Sequence, residues 1–532
     1  MSAARSPSPT RVRRRMGLDR GPWGNRLRVV AAAMVLLGEG FGASEGGKAA
    51  AFRIGVVDGA TGRGVPLVEF RTVNGIRHWT DSNGLIAFSE PGLMGREVYF
   101  HIESDGYGVD ADAFGNRGIR LRLEPGGLAR VEIQRSDVAE RLYRVTGQGI
   151  YRDSVILGAA VPLQQPVING GVAGQDTVVA AVYRERIHWF WGDTERFSYP
   201  LGNFSAAGAT SELPGRGGLP PSRGVDLEYF VGPDGFTAPM CPDFGPGLHW
   251  IESVFVLPDA DGRERLMARV ASQLGLEPAY AWHLAVWDDE HRQFTSRVRW
   301  DLRRGHDSAH PFVATADAIA YLFVYPDHRV QANWAAVTNL ARYESFTFVD
   351  DTGGVDRHAD GSLRWQWRPG APRLDLEARR RLVSTGILRG DEPGLRTLDA
   401  GSGASVELHR GSVFWNAWRR RWIRIASGKP GDIWYSEALS PVGPWKYARR
   451  IVSHRAYNLY NPTQHPFFDE DGGRVVYFEG TYTAAFSAAR EKTPRYDYNQ
   501  MLYRLDLSDE RLRIPEPGGS PLDPVPIQAM EP

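Results

Sequence analysis

A chain of 532 residues with 42% hydrophobic content is too long for one ordinary domain and carries enough apolar material for several cores. Lys plus Arg and Asp plus Glu each number 63, so the formal net charge is zero, and no basic face stands out beyond the N-terminus, which argues against nucleic acid as a partner. The lone cysteine, Cys241, excludes an intrachain disulfide and a Cys-rich zinc site and reads as a buried core thiol.

Residues 1–50 read as a leader. Arg11, Arg13, Arg14, Arg15, Arg26 and Arg28 precede the apolar run Val29–Gly38, and the small residues Gly42, Ala43 and Ser44 follow. Ten apolar residues are short for a bilayer span, so cleavage is favoured over a short uncleaved anchor. The expected location is secreted or periplasmic, with no stable membrane span after processing. From Phe52 to about residue 140, short alternating strands (Phe52–Val57, Val65–Phe70, Leu85–Phe88, Val98–Ser104, Ile119–Leu123) are separated by Gly- and Asp-rich turns. The pieces VVDGATGRGVP, TDSNGLIAF and YFHIESDGY resemble the carboxypeptidase regulatory-like domain, an Ig-like β-sandwich. That resemblance covers about 85 residues, implies a fold and no chemistry, and suggests a spacer or accessory module.

Residues 145–515 change rhythm. Aromatic-rich hairpins recur at Thr177–Gly192, Val254–Gln273, Tyr280–Trp300, Ala318–Ala335, Val413–Tyr435, Val475–Tyr482 and Met501–Leu507. Repeated four-stranded sheets that pack on one another and close a ring leave few free edges, which predicts an all-β chain ending in a five-bladed β-propeller. Six blades also fit the length. Helices are expected only at Leu376–Leu388 and Ala485–Lys492, and residues 516–532 form a Pro-rich tail. The repeats Ala309-His310-Pro311-Phe312 and Gln464-His465-Pro466-Phe467 look like equivalent blade starts.

Three stretches carry candidate chemistry. Ile187–Thr194 (IHWFWGDT) is an aromatic strand that ends on Gly-Asp-Thr and so puts the carboxylate of Asp193 where a buried strand stops, with Trp191 before it and Asn203 shortly after. Ser436–Trp445 (SEALSPVGPW) follows the strand Gly431–Tyr435. Tyr460–Phe468 (YNPTQHPFF) precedes a strand bearing the lone Glu479, and Glu252 sits alike in HWIESVF; burying an unpaired carboxylate is costly, so each needs a partner or a water-filled cavity. The Gly-Asp-Thr strand and the S-P-x-G-P-W segment resemble the five-bladed glycosidases of the arabinanase, levansucrase and invertase type, including the endo-arabinanase propellers.

The resemblance implies a glycoside hydrolase in which the first-blade Asp is base or nucleophile and a later Glu is the acid, with carbohydrate as partner. By its motif that role falls on Asp193, with Glu252 or Glu479 as acid, while Trp191, Asn203, His310, Tyr460, Asn461, Gln464 and His465 would bind substrate. The bland readings stand beside these: Asp193 as a turn cap, Glu252 in a buried pair with an arginine, Glu479 paired with Arg495 or Arg474, His310 and His465 as hydrogen-bonded core histidines, and Asp469-Glu470-Asp471 as a solvated acidic turn. No cofactor or metal is expected, since no dense carboxylate loop announces one, although a central Ca²⁺ would suit a propeller channel. A non-catalytic glycan-binding propeller and a polysaccharide lyase using Tyr460, His465 and Arg495 are the rival functions. Sugar, linkage, stereochemical course and oligomeric state are not legible.

Overall fold

Phe52–Asp58 alternates buried and half-buried residues along its whole length, as a strand with one face in a core must. The computed structural model describes residues 50–515, apart from 204, 276, 301–309, 351, 372, 391, 393 and 394, together with 528–529; the side chains of 200–203 and 528–529 are excepted. The expected leader lies outside the described residues. The fold is all-β. Among the described residues no helix is long and apolar enough to cross a membrane.

Two four-stranded sheets form the N-terminal unit. One runs in the order Leu85–Phe88, Phe52–Asp58, Leu128–Arg135, Tyr107–Gly108, and the other Arg77–Trp79, Glu69–Thr72, Glu97–Glu103, Gly118–Arg122. They share a core that includes Ile54, Val56, Phe70, Phe88 and Phe100, with Phe88 edge-on to Phe100 at 5.3 Å between centroids. In the Asp-Ser-Asn-Gly turn, Gly84 has φ +76°, and a Cβ there would lie 2.4 Å from the carbonyl oxygen of Val56, so only glycine lets the turn sit against its neighbouring strand.

Six further sheets follow: a small three-stranded one of Val172–Gln175, Thr194–Arg196 and Tyr199–Asn203, and five larger ones, numbered first to fifth in chain order. The first contains Val178–Tyr183, Arg186–Trp191, Ala207–Glu212 and Glu228–Tyr229. The second contains Leu248–Pro258, Glu264–Gln273, Ala281–Asp288 and Gln293–Trp300. The third is built on Phe312–Ala316, Ile319–Tyr325, His328–Gln331 and Glu344–Thr347, and the fourth on Gly411–Asn416, Arg421–Ser427, Asp432–Ala438 and Tyr447–Ser453. The fifth contains Asn458–Gln464, Val475–Thr483 and Asn499–Asp506, and its outermost strand is Glu140–Arg144, from the other end of this region.

Apolar cores join these sheets in a cycle. Phe190 meets Val254 and Ala268; Phe255 and Met267 meet Leu322 and Val330; Ala314 and Phe323 meet Val413 and Trp422. Ile423 and Ile433 meet Val476 and Phe478, and Tyr477 and Tyr143 return to Val178 and Trp189 of the first sheet. Each sheet is therefore apolar on both faces, which is why Val475–Thr483 is buried at every position instead of alternating.

Leu376–Ser384 is helical as expected, with Asp375 accepting from the Ala378 amide at 2.7 Å as its N-cap. Ala485–Lys492 is not a helix; Phe486 has φ +55°, Ala484 and Ala485 bond back to Asp497 and Thr483, and the segment runs as turns. Within the expected tail, Gln528–Ala529 add a short strand beside Phe312–Ala316. The two HPF segments are not equivalent: His310 stands before the first strand of its sheet, whereas His465 follows the first strand of the fifth.

The N-terminal unit is tied to the fifth sheet by buried polar bonds. Arg141, 2% exposed, donates to the Pro66 carbonyl at 3.2 Å, the Asp105 carbonyl at 2.9 Å and the Ser104 hydroxyl at 2.6 Å. The Tyr496 hydroxyl donates to the Thr80 carbonyl at 2.6 Å and accepts from the Leu67 amide at 3.2 Å. Leu67 itself packs in the core shared by the fourth and fifth sheets.

Candidate functional site

The first strands of neighbouring sheets touch one another: 178–183 meets 248–258 and 458–464, and 411–416 also meets 458–464. Residues at the ends of these strands therefore converge on the middle of the cycle.

Asp193 follows the strand Arg186–Trp191, and its Oδ1 accepts from Trp250 Nε1 of the second sheet at 2.8 Å. It is not a turn cap. Across the strand pair lies Asp176, whose carbonyl accepts from the Gly192 amide at 2.9 Å and whose amide donates to the Asp193 carbonyl at 3.3 Å. A Cβ on Gly192 would come within 2.4 Å of Asp176 Oδ1, so the glycine of Gly-Asp-Thr is what lets the Asp176 carboxylate lie against this strand. Asp176 is the principal residue that sequence reasoning missed.

Tyr460 of the fifth sheet donates to Asp176 Oδ2, and Tyr498 acts on both Asp176 and Asp193 as a hydrogen-bond donor. Asn461 Nδ2 donates to Thr177 Oγ1 at 2.8 Å. Thr177, Asn461 and Tyr498 all have left-handed backbones, at φ +42°, +49° and +61°. For a β-branched and an aromatic residue this is costly, and three such residues around one pair of carboxylates mark a site held by its surroundings.

Burial pushes the Asp176 carboxyl up to about 6, with the Asp193 charge adding to the effect and the tyrosine hydrogen bonds opposing it. Burial also raises Asp193, against the Trp250 and Tyr498 donors. Asp176 and Asp193 are both half-buried residues.

Glu252 lies where the register of its strand shifts, between Ile251 and Ser253, and its Oε2 is 3.3 Å from Arg410 Nη2. That ion pair joins the second sheet to the fourth, which are not neighbours in the cycle, so it crosses the interior. His310 faces the same region; burial pushes its imidazole well below its ordinary range, and the charges of Arg410 and His465 add to this.

Four expected site residues are placed elsewhere. Glu479 is 1% exposed, and its Oε1 bonds His465 Nε2 at 2.7 Å, so neither Arg495 nor Arg474 is its partner and it lies in the core. His465, 2% exposed, sits edge-on to Trp189 at 5.1 Å in the core between the fifth and first sheets. Trp191, 1% exposed, stacks near Trp189 at 6.4 Å and 9°, so it is core and not a sugar platform. Gln464 is buried and donates to Asp469 at 3.1 Å; Asp469 is no solvated turn residue, because burial pushes its carboxyl up to about 8. The Asn203 backbone pairs with Thr194, and its side chain lies outside the described residues. The aromatics that border the two carboxylates are instead the half-buried Trp250 and Tyr498. Among the described residues no group of three or more His, Cys, Asp or Glu is placed to hold a metal ion.

No family model matches the sequence, and no curated protein matches it. Among solved structures it is similar to an exo-β-1,3-galactanase from Phanerochaete chrysosporium bound to galactose, at 13% identity over 70% of this chain and 66% of that one, with a TM-score of 0.34. The chain thus spans just under two thirds of the galactanase. It is also similar to an exo-1,5-α-L-arabinanase from a bovine ruminal metagenomic library, at 12% identity over 63% of this chain and 94% of that one, TM-score 0.31. A GH43_1 enzyme from Xanthomonas citri complexed with xylose aligns at 12% identity over 63% of this chain and 87% of that one, TM-score 0.32. Likeness this distant assigns no activity.

Proposed function

We propose that the protein is an exported glycoside hydrolase whose five ring-joined sheets are the blades of a five-bladed β-propeller, preceded by a carboxypeptidase regulatory-like sandwich. The observation that carries the reading is the pair Asp176 and Asp193: two half-buried aspartates, adjacent across one strand pair, fixed by Tyr460, Tyr498 and Trp250. Cleaving a glycosidic bond takes two carboxyl groups in unlike environments, one to give a proton to the leaving oxygen and one to act as base or nucleophile.

Asp176, held up to about 6, is the proton donor in this reading; a carboxyl in that range keeps a protonated fraction near neutral pH and still regains its proton after each turnover. Asp193 is the ionised partner, its charge supported by the Trp250 indole N–H. The same indole offers a face on which a sugar ring can stack. Glu252 and Arg410 pair across the interior and would bind sugar hydroxyls through the pair, while Tyr460 and Asn461 position Asp176 and Thr177. Glu479 fixes the His465 ring in the core between the fifth and first sheets and has a structural role.

The test is a panel of neutral and acidic polysaccharides assayed for reducing ends and for ultraviolet absorbance. Reducing ends without absorbance, abolished in both Asp176→Asn and Asp193→Asn, support the reading. Unsaturated products would make the protein a lyase, and tight binding without any product would make it a glycan-binding module.

A further inference from the structure

A cavity of about 850 Å³ lies between the third and fourth sheets and the helix Leu376–Ser384, well within the size of sites that take small molecules. Five arginines line it (Arg373, Arg379, Arg396, Arg410 and Arg424) against three carboxylates, Asp327, Asp375 and Glu407, an excess of two positive charges. Each carboxylate is already engaged. Asp327 accepts from Arg373 Nε at 2.8 Å, Asp375 caps the helix at 2.7 Å, and Glu407 pairs with Arg380.

Arg373 is bonded to Asp327 and Arg410 is paired with Glu252, and Arg396 is exposed, which leaves Arg379 and Arg424 as the half-buried pair. Among the described residues Arg379 donates only to the Leu374 carbonyl, at 3.2 Å, and Arg424 only to the His409 carbonyl, at 3.1 Å. A guanidinium has five donors, so both keep most of theirs for the cavity. Burial lowers the pKa of each, against the charge of nearby Asp327, and the Arg379 charge lowers that of Arg424 further. Asp327 lies near both but is hydrogen-bonded to Arg373, so these two neighbouring half-buried cations keep guanidinium donors that a planar oxyanion meets in bidentate fashion. Half-buried Trp445 and Trp365 add flat apolar walls, as a sugar ring requires. Arg410 lines this cavity and also reaches Glu252, so the cavity adjoins the carboxylate site.

We propose that this cavity is a second ligand site, for a sugar-sized molecule bearing a carboxylate, a hexuronate residue, with Arg379 and Arg424 holding the carboxylate and Trp445 the ring. The sugar half of this assignment rests on the proposed carbohydrate activity; the oxyanion half does not.

The full chain is titrated calorimetrically with D-galacturonate, D-galactose and inorganic phosphate, in wild type, Arg379→Gln, Arg424→Gln and Asp176→Asn. Galacturonate is expected to bind at least tenfold more tightly than galactose, to lose tenfold or more in each arginine variant, and to bind Asp176→Asn as it binds wild type. Equal binding of galactose and galacturonate, or wild-type affinity in both arginine variants, overturns the proposal. Phosphate binding without galacturonate binding overturns the uronate assignment. If Arg424→Gln does not fold, Arg379→Gln, on the helix, carries the test alone. Failure to hydrolyse any glycan while galacturonate still binds would remove the hydrolase reading and leave this site standing.

Discussion

Replacing Asp176 by Asn removes a charge at nearly constant shape, and it separates catalysis from stability because the two respond in opposite directions. The Asp176 carboxyl is raised from 3.8 to about 6. In the unfolded chain it ionises near the lower value and in the native state near the higher one, so the native state retains its proton while the unfolded chain has released it. Stability contributed at this position is full below about pH 4, declines as pH rises to about 6, and stays lost above. At roughly 1.4 kcal/mol per pKa unit the cost above pH 6 is at most about 3 kcal/mol. The weakened bond from Tyr460 in the variant reduces what the amide recovers to about 1–2 kcal/mol.

Asp176→Asn is therefore expected to melt at a higher temperature than wild type at pH 7.5 and at the same temperature near pH 4. Its turnover per folded molecule should fall by about 10²–10⁴, the usual contribution of a positioned acid. Calorimetric melting at the two pH values and reducing-end release from one preparation measure both. Unchanged turnover would refute the catalytic role, and a lower melting temperature at pH 7.5 would refute the electrostatic account.

Gly192→Ala would drive a methyl group into Asp176 Oδ1, and turnover should fall at least tenfold with a loss of about 1–3 kcal/mol in stability, read by kinetics and denaturant melts. Glu479→Gln keeps an acceptor for His465, so stability should drop by no more than about 2 kcal/mol while turnover stays within threefold; a hundredfold loss of turnover would return Glu479 to the list of acids. Tyr496→Phe removes a buried hydroxyl from the Thr80 carbonyl and the Leu67 amide, which still bond each other at 3.2 Å, so it should cost about 0.5–1.5 kcal/mol and let limited proteolysis cut between the N-terminal sandwich and the sheets it rests on.

The strands were legible where one face meets solvent, as in Phe52–Asp58, and where aromatic runs stop at glycine, as at Ile187–Thr194. Period-two alternation carries no information in Val475–Thr483, buried on both faces, so nothing in the sequence told which way Glu479 points. Asp193 was found because Gly-Asp-Thr is a visible stop. Asp176 was missed because Gln175-Asp176-Thr177 resembles any polar turn; its significance comes from the left-handed Thr177 and from Tyr460 and Tyr498, some 280 and 320 residues away in sequence. The one local hint was Gly192, whose missing side chain makes room for a neighbour. Trp250 and Tyr498 were hidden among many aromatics whose default place is a core, and the HPF echo misled because identical tripeptides fell at opposite ends of their strands.

Strand Glu140–Arg144 finds its partner in Asn499–Asp506, with Met501 opposite Arg144 and Arg504 opposite Glu140. On a ribosome, the earlier strand emerges well before its mate exists, and at 5–20 residues per second the wait is on the order of 20–70 s. Throughout that interval Leu142 and Tyr143, which end up fully buried, have no sheet to join. Closure of the circle is thus a late, non-local event with a large loop entropy to overcome, which makes folding slow and leaves a sticky half-built chain in the meantime. Once closed, the circle resists unfolding from either end, since neither of these two strands can peel without breaking the other's pairing.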